Sequence, residues 1–285
     1  MKKIYTFFFL LLNIQVFSQL TPTEMVKPIV DEGKRLYRSE MASWYGTDVF
    51  LEVYKDQSNI GGYFSYEDAG NYKCIFFSKK TEPAVIGTIS FDSTYNVKTA
   101  KADLTERSFT TLENEYYQIR QKAFQIINED TLFKHYKNTS LNIIPMISEG
   151  KKKVYALTGP KVSDVVVFGN DYLLTFNNDL ELLEKKTLHR NIIPINYGKE
   201  NESAQNEGKT TFGTMHSHLP ETGDFITATD ICTLMLYAKF TGWKQHNVVS
   251  AKYLNVWDCL SGHLTVIPLE SINKNEKDQK RKKNN

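Results

Sequence analysis

Cysteine is scarce in this 285-residue chain, which holds only Cys74, Cys232 and Cys259. An odd number cannot pair completely within one chain, and the spacings match no zinc knuckle and no CxxC redox motif. That excludes a small scaffold held by a disulfide framework, although one bridge remains open in an oxidising compartment. Cys232 falls on an apolar helix and Cys259 in an apolar strand, where a free thiol serves as a small hydrophobe. Long apolar runs are also missing beyond the first residues. No further span reaches the roughly 18 apolar side chains of a membrane-crossing helix. Charge of one sign is not in excess, with 35 Lys and Arg against 33 Asp and Glu. The body of the chain carries no basic stripe interleaved with aromatics, so no nucleic-acid partner is expected. Several chemistries lack their signatures as well: there is no P-loop, no G-x-G-x-x-G, no G-x-S-x-G elbow and no HExxH. Neither Cys232 nor Cys259 sits in a thiol-protease signature.

Aromatic side chains are plentiful, with 16 Tyr and 17 Phe, and this suits a strand-rich protein. The first residues read as a secretory signal: Lys2 and Lys3, then the apolar run Ile4–Leu12, then Val16-Phe17-Ser18 before Gln19. Residues 1–18 are therefore expected to be removed, leaving a secreted or periplasmic chain with no integral membrane segment. No cysteine lies at the cleavage point to carry a lipid. At the other end, residues 271–285 form a basic tail, with Lys274, Lys277, Lys280, Arg281, Lys282 and Lys283 against Glu276 and Asp278. Such a tail is expected to be solvated and disordered.

Periodicity predicts an α+β fold with mixed, largely antiparallel sheets and flanking helices. Met25, Ile29, Leu36, Met41 and Trp44 recur at helical intervals from Thr21 to about Tyr45, with Pro28 as a possible break and Gly46 as a stop. FLEVY, GGYFSY, YKCIFFS and AVIGTISF in 50–91 read as an antiparallel meander. Leu112, Tyr116, Ile119, Phe124 and Ile127 line a second helix over 110–127. Residues 19–140 form a first α+β unit of unassigned role. From 141 to 270 short strands follow one another: SLNIIPMIS, KVYALTG, VVVFG, YLLTF, LELL and NIIPINY. A polar loop at 199–209, the strand FGTMHSH, a helix over 227–240 and the strands NVVSAKYLNVWDCL and HLTVIPL complete the unit.

The chemistry concentrates in 216-HSHLPETGDFITATD-230. On a strand, residues two apart share a face, so His216 and His218 project together. Two neutral imidazoles on one face are half of a transition-metal site, or simply two hydrogen-bonded side chains. Thr227 and Asp230 read as an N-cap and its N3 partner in a capping box, a role that leaves the carboxylate free to reach back towards the histidines.

The order H-x-H, Pro, six residues, Ser or Thr, two residues, Asp resembles the JAMM (MPN-domain) zinc metalloprotease motif. Leu219 stands as one extra residue before Pro220, and Thr227 replaces the usual Ser. The resemblance implies a JAMM-like domain over 141–270 with zinc on His216, His218 and Asp230 and water in the fourth position. It also implies that Thr227 stabilises an oxyanion and that an upstream carboxylate acts as general base. Asp171, opening DYLLTF, is the nearest candidate for that base; Glu181 and Glu184 read as solvent-facing. His135, His189, His246 and His263 read as surface or hydrogen-bonded core residues, and Asp258 as solvent-facing. Two functions follow as expectations. One is an exported zinc-dependent peptidase or isopeptidase acting on a peptide or peptide crosslink. The other is a secreted binding or structural protein with a degenerate metal site.

Overall fold

The structure is a computed structural model and describes residues 21–148, 150–197 and 212–272. The expected signal peptide, the polar loop at 199–209 and the tail from residue 273 onward lie outside these residues.

Helix α1 (Pro22–Val53) opens on a capping box in which Thr21 and Glu24 satisfy each other's backbone N–H groups, with Pro22 at the first helical position. It does not break at Pro28 or stop at Gly46. Pro28 lies near the exposed start of the helix, where the one carbonyl it leaves without a donor, that of Glu24, belongs to an exposed residue. Gly46 is present for contact: a Cβ there would lie 2.6 Å from Cys74 Cβ. The expected strand at 50–54 is instead the last turn of α1 and its cap. Phe50 stacks on Phe76 with ring centroids 3.8 Å apart, and burial of that ring overrides the local β propensity.

The rest of the meander forms as expected. Strands β1 (Ile60–Asp68), β2 (Asn71–Ser78), β3 (Val85–Phe91) and the short β4 (Lys101–Asp103) make one antiparallel sheet in that order. Helix α2 (Thr111–Glu129) carries its own capping box, Thr110 with Glu113. It buries Tyr116, Ile119 and Ile127, while Leu112 and Phe124 stay exposed.

A second antiparallel sheet has the order β5-β6-β8-β9 (Thr139–Ser148, Lys151–Pro160, Tyr172–Phe176 and Leu182–Thr187). Strand β7 (Val165–Gly169) pairs with β10 (Ile192–Asn196). The last sheet, β11-β12-β13-β14, comprises Gly213–Ser217, Gln245–Val249, Tyr253–Asp258 and His263–Pro268. The run NVVSAKYLNVWDCL, expected as one strand, is parts of two: the chain reverses at Ser250–Lys252, closed by the Ser250 N–H donating to Tyr253 O at 2.9 Å.

The β11–β12 pair is parallel, and helix α3 (Ala228–Thr241) makes the crossover between them. This βαβ unit places the carboxyl end of β11 beside the amino end of α3, the place where open α/β units put their ligands. Helix α1 braces α3 from outside. A Cβ on Gly33 would lie 2.7 Å from Ile231 Cβ, so the two helices touch backbone to side chain. One apolar cluster runs across residue 140, joining Leu36, Phe50 and Phe76 to Tyr155, Cys232 and Leu236. All three cysteines are free thiols. Among the described residues no helix is long and apolar enough to cross a membrane.

Candidate metal centre

Three chain segments meet at the carboxyl end of β11. The strand itself presents His216, and His218 follows it, with its backbone N–H held on Val249 O at 2.8 Å. Helix α3 presents Asp230 from its first turn. The loop between β9 and β10 presents His189. The four residues form one buried group whose donor atoms all lie within 4.8 Å of one another. The extra residue Leu219 is absorbed by a turn in which Thr222 N donates to Leu219 O at 3.0 Å, so Asp230 still reaches the histidines.

The distances have a common scale. His216 Nε2 lies 3.1 Å from His218 Nε2, and His189 Nε2 lies 3.2 Å from His218 Nε2. Asp230 Oδ1 stands 3.3 Å from His189 Nε2 and 3.6 Å from His216 Nε2, and Asp230 Oδ2 stands 3.3 Å from His218 Nε2. A tetrahedron with metal–ligand bonds of about 2.0–2.1 Å has donor–donor edges of about 3.3–3.4 Å.

The partners of the outer nitrogens favour one tautomer for each ring. His218 Nδ1 lies 3.0 Å from Phe225 O, and a carbonyl only accepts, so Nδ1 carries the proton and Nε2 turns its lone pair inward. His189 Nδ1 faces the Asp171 carboxylate at 3.7 Å, which favours the same tautomer. His216 Nδ1 pairs with His246 Nε2 at 2.9 Å, and His246 Nδ1 with Thr214 Oγ at 2.7 Å. With Thr214 accepting, the chain again leaves His216 Nε2 unprotonated and aimed at the centre. In those tautomers three imidazole lone pairs and a carboxylate oxygen face one another, an arrangement that a cation completes, whether a metal ion or a proton on His189. Asp230 Oδ1 has no hydrogen-bond partner despite complete burial, a second sign of the same deficit.

Electrostatics follow this geometry. Burial is the strongest influence on Asp230 and pushes its carboxyl up, but His189, His216 and His218 together outweigh it and hold the group well below the usual carboxylate range. Burial pushes His216 down to about 4 and His246 down to about 3. Burial acts downward on His189 too, yet the charges of Asp230 and Asp171 raise it to about 9. Burial pushes Asp171 up to about 7 against the pull of His189 and the Thr158 N–H.

The sequence-predicted residues divide accordingly. His216, His218 and Asp230 converge. Thr227 is the helix N-cap: its hydroxyl accepts from Asp230 N at 3.1 Å and lies 2.8 Å from Asp230 Oδ2, so it braces the carboxylate. Asp171 stands behind His189, with Oδ1 accepting from Thr158 N at 2.9 Å and Oδ2 turned to Nδ1. It does not belong to the inward-facing group.

One expectation is corrected and another sharpened. His189 is one of the four converging side chains rather than a surface or plain core residue. His246, in β12, is a hydrogen-bonded core residue, fully buried against Phe168 with ring centroids 4.8 Å apart. No local sequence signal marks His189; its place is set by the hairpin register. Tyr172 pairs with Thr187, and Leu188 N donates to Asp171 O at 2.8 Å, so Asp171 and His189 must lie side by side. His135 and His263 are exposed, as is Asp258, which accepts from the N–H groups of Leu260 and Ser261 in a turn.

A cleft of about 740 Å³ borders the centre at Leu188, Phe225 and Thr227 and runs along the first turns of α1. None of the four converging side chains lines it. No protein-family model matches the chain, and neither a curated protein nor a solved structure matches it.

Proposed function

We propose that the chain binds one divalent transition-metal ion, zinc in the first instance, through His189, His216, His218 and Asp230. The observation that carries this is the inward convergence of three Nε2 atoms and a carboxylate oxygen without a hydrogen-bond partner, at spacings close to tetrahedral edge lengths. Imidazole-rich sets of this kind suit zinc and its neighbours in the first transition row. His246, paired with His216 Nδ1, and the Asp171 carboxylate, 3.7 Å from His189 Nδ1, favour the required tautomer of two of the imidazoles.

Four protein donors complete a tetrahedral shell, the pattern of a structural zinc rather than a catalytic one. The reading therefore leans towards an exported binding or structural protein whose ion fixes the β11–α3 junction. Amide hydrolysis in a peptide or peptide crosslink stands as the second reading, favoured by the bordering cleft and by the JAMM-like order of residues. A catalytic ion would polarise the substrate carbonyl and lower the pKa of a bound water to about 7. On that reading Thr227 positions Asp230, the cleft holds the peptide, and a carboxylate must still come within hydrogen-bond reach of the water.

The test is metal analysis of the purified mature chain and of H189A, H216A and D230A. One zinc per chain in the wild type and its loss in all three variants supports the four-donor site. Absence of any bound or bindable divalent metal in the wild type overturns it. Retention in H189A alone points to a three-ligand site with an open position, and peptide hydrolysis should then be sought.

A further inference from the structure

The turn between β12 and β13, with the first residues of β13, clasps the loop that follows the histidines. It does so at two consecutive residues, Asp224 and Phe225. Lys252 Nζ lies 2.8 Å from Asp224 Oδ2. Asn255 Nδ2 donates to Asp224 O at 3.1 Å. The Tyr253 ring stacks on the Phe225 ring, with centroids 5.0 Å apart and planes 25° apart. The turn is itself braced, since Ser250 Oγ accepts from Lys252 N at 3.3 Å and from Tyr253 N at 3.0 Å. The clasped segment has one further contact: Phe225 O is the acceptor 3.0 Å from His218 Nδ1.

The three contacts are unequal. The Lys252 and Asp224 side chains are 70% and 29% exposed, and an ion pair open to water adds little. The stack holds the Phe225 ring rather than its carbonyl. Asn255 is fully buried and grips the backbone itself. Strand register explains its place. His216 lies opposite Val248 in β12, and Val248 lies opposite Asn255 in β13, so the three form one row across the sheet. Asn255 therefore stands on the face that carries His216. Its Nδ2 also donates to Val248 O at 3.2 Å. With a carbonyl for each amide proton, the flipped amide would set oxygen against oxygen, so its orientation is fixed. Its Oδ1 is buried without a partner. A half-satisfied buried amide is a poor device for stability alone, and an apolar residue of similar shape would serve as well. What the amide does provide is a fixed position for the carbonyl that orients His218.

We infer that Asn255 is a positioning residue of the metal centre. It anchors the Asp224–Phe225 backbone, so that Phe225 O holds the His218 proton on Nδ1 and Nε2 faces the other donors. Its effect on zinc rests on the metal reading above; its effect on the His218 ring concerns the metal-free chain alone.

The test is N255A beside V266A. Val266 lies opposite Asn255 in β14, so its truncation loosens the same sheet and leaves the anchor in place. Long-range ¹H–¹⁵N correlation of the metal-free mature chain near neutral pH reads the His218 tautomer. The Nδ1-protonated form is expected in wild type and V266A, and a shift towards the Nε2-protonated form in N255A. Competition against a chromophoric chelator should show zinc affinity lower by about tenfold or more in N255A. V266A and Y253F, which keeps the stacking ring, should bind zinc as the wild type does. Circular dichroism checks the fold. If N255A does not fold, N255S, whose shorter side chain lacks the reach to Asp224 O, takes its place. A His218 protonated on Nε2 in the wild type, or an unchanged tautomer in N255A, overturns the inference. An equal loss of affinity in V266A overturns it too, since sheet packing would then be the cause. If the wild type binds no zinc, the metal reading falls, and the His218 tautomer still decides the role of Asn255.

Discussion

Replacing Asp171 by Asn separates an orienting role from a catalytic one. Asp171 offers two acceptor oxygens, one to Thr158 N at 2.9 Å and one turned to His189 Nδ1 at 3.7 Å. Asn offers only one. If the amide oxygen stays on Thr158, its NH₂ confronts the Nδ1 proton of His189; if it flips, the NH₂ confronts the Thr158 N–H. In the first case His189 must move its proton to Nε2, the atom aimed at the other donors. Loss of such an outer partner typically lowers metal affinity about 10–100-fold, which is about 1.4–2.7 kcal/mol. A competition titration against a chromophoric zinc chelator near neutral pH reads this directly. The zinc-induced rise in melting temperature should shrink by about 3–11 °C in parallel, given about 2–4 °C per kcal/mol for a chain of this size. Zinc affinity within threefold of wild type would refute the orienting role. Unchanged affinity together with lost peptide hydrolysis would restore Asp171 as the general base.

Other expectations are as specific. H246A removes the partner of His216 Nδ1 and should weaken zinc binding by about 10–100-fold in the same competition assay, with the apo protein still folded. G33A forces a Cβ to within 2.9 Å of the Ala228 carbonyl oxygen and 2.7 Å of Ile231. Overpacking of this kind costs about 1–3 kcal/mol, and because it displaces the helix that carries Asp230, urea unfolding and zinc affinity should both report it. Glu40 has a folded-state pKa raised from 4.5 to about 7, so its contribution to stability is fully present below pH 4.5 and lost as pH climbs through 7. E40Q should therefore gain on wild type by about 3 kcal/mol between pH 4.5 and pH 8 in urea unfolding, and a parallel course for the two proteins would contradict the burial of a charged Glu40.

Much of the centre was legible in the sequence because its parts are local. His216 and His218 share a face by strand periodicity, and Thr227 and Asp230 announce a helix start by cap chemistry; both rules act within a few residues. His189 and His246 were not legible because their roles depend on strand pairing. The β8–β9 hairpin sets His189 beside Asp171, and the parallel register of β11 with β12, Thr214 opposite His246, sets His246 behind His216. Nothing in KTLHRN or KQHNVV states those registers. The same limit explains α1. Pro28 and Gly46 carry helix-ending signals by local rules, but the fit of Gly46 against Cys74 and of Phe50 against Phe76 is a tertiary contact that outweighs them. The antiparallel meander at 60–91 was legible because its turns and its alternating runs lie in sequence order.

The three cysteines are free, so the described fold contains no covalent crosslink. An ion held between His189 and Asp230 would take that place, tying off a stretch of about 40 residues. By the chain-entropy relation for a crosslink, closing a loop of that length removes roughly 4 kcal/mol of freedom from the unfolded chain. Unlike a disulfide, such a tie is indifferent to reductants and sensitive to chelators and acid. The folded lifetime would then be governed by how much metal the surroundings offer rather than by how oxidising they are.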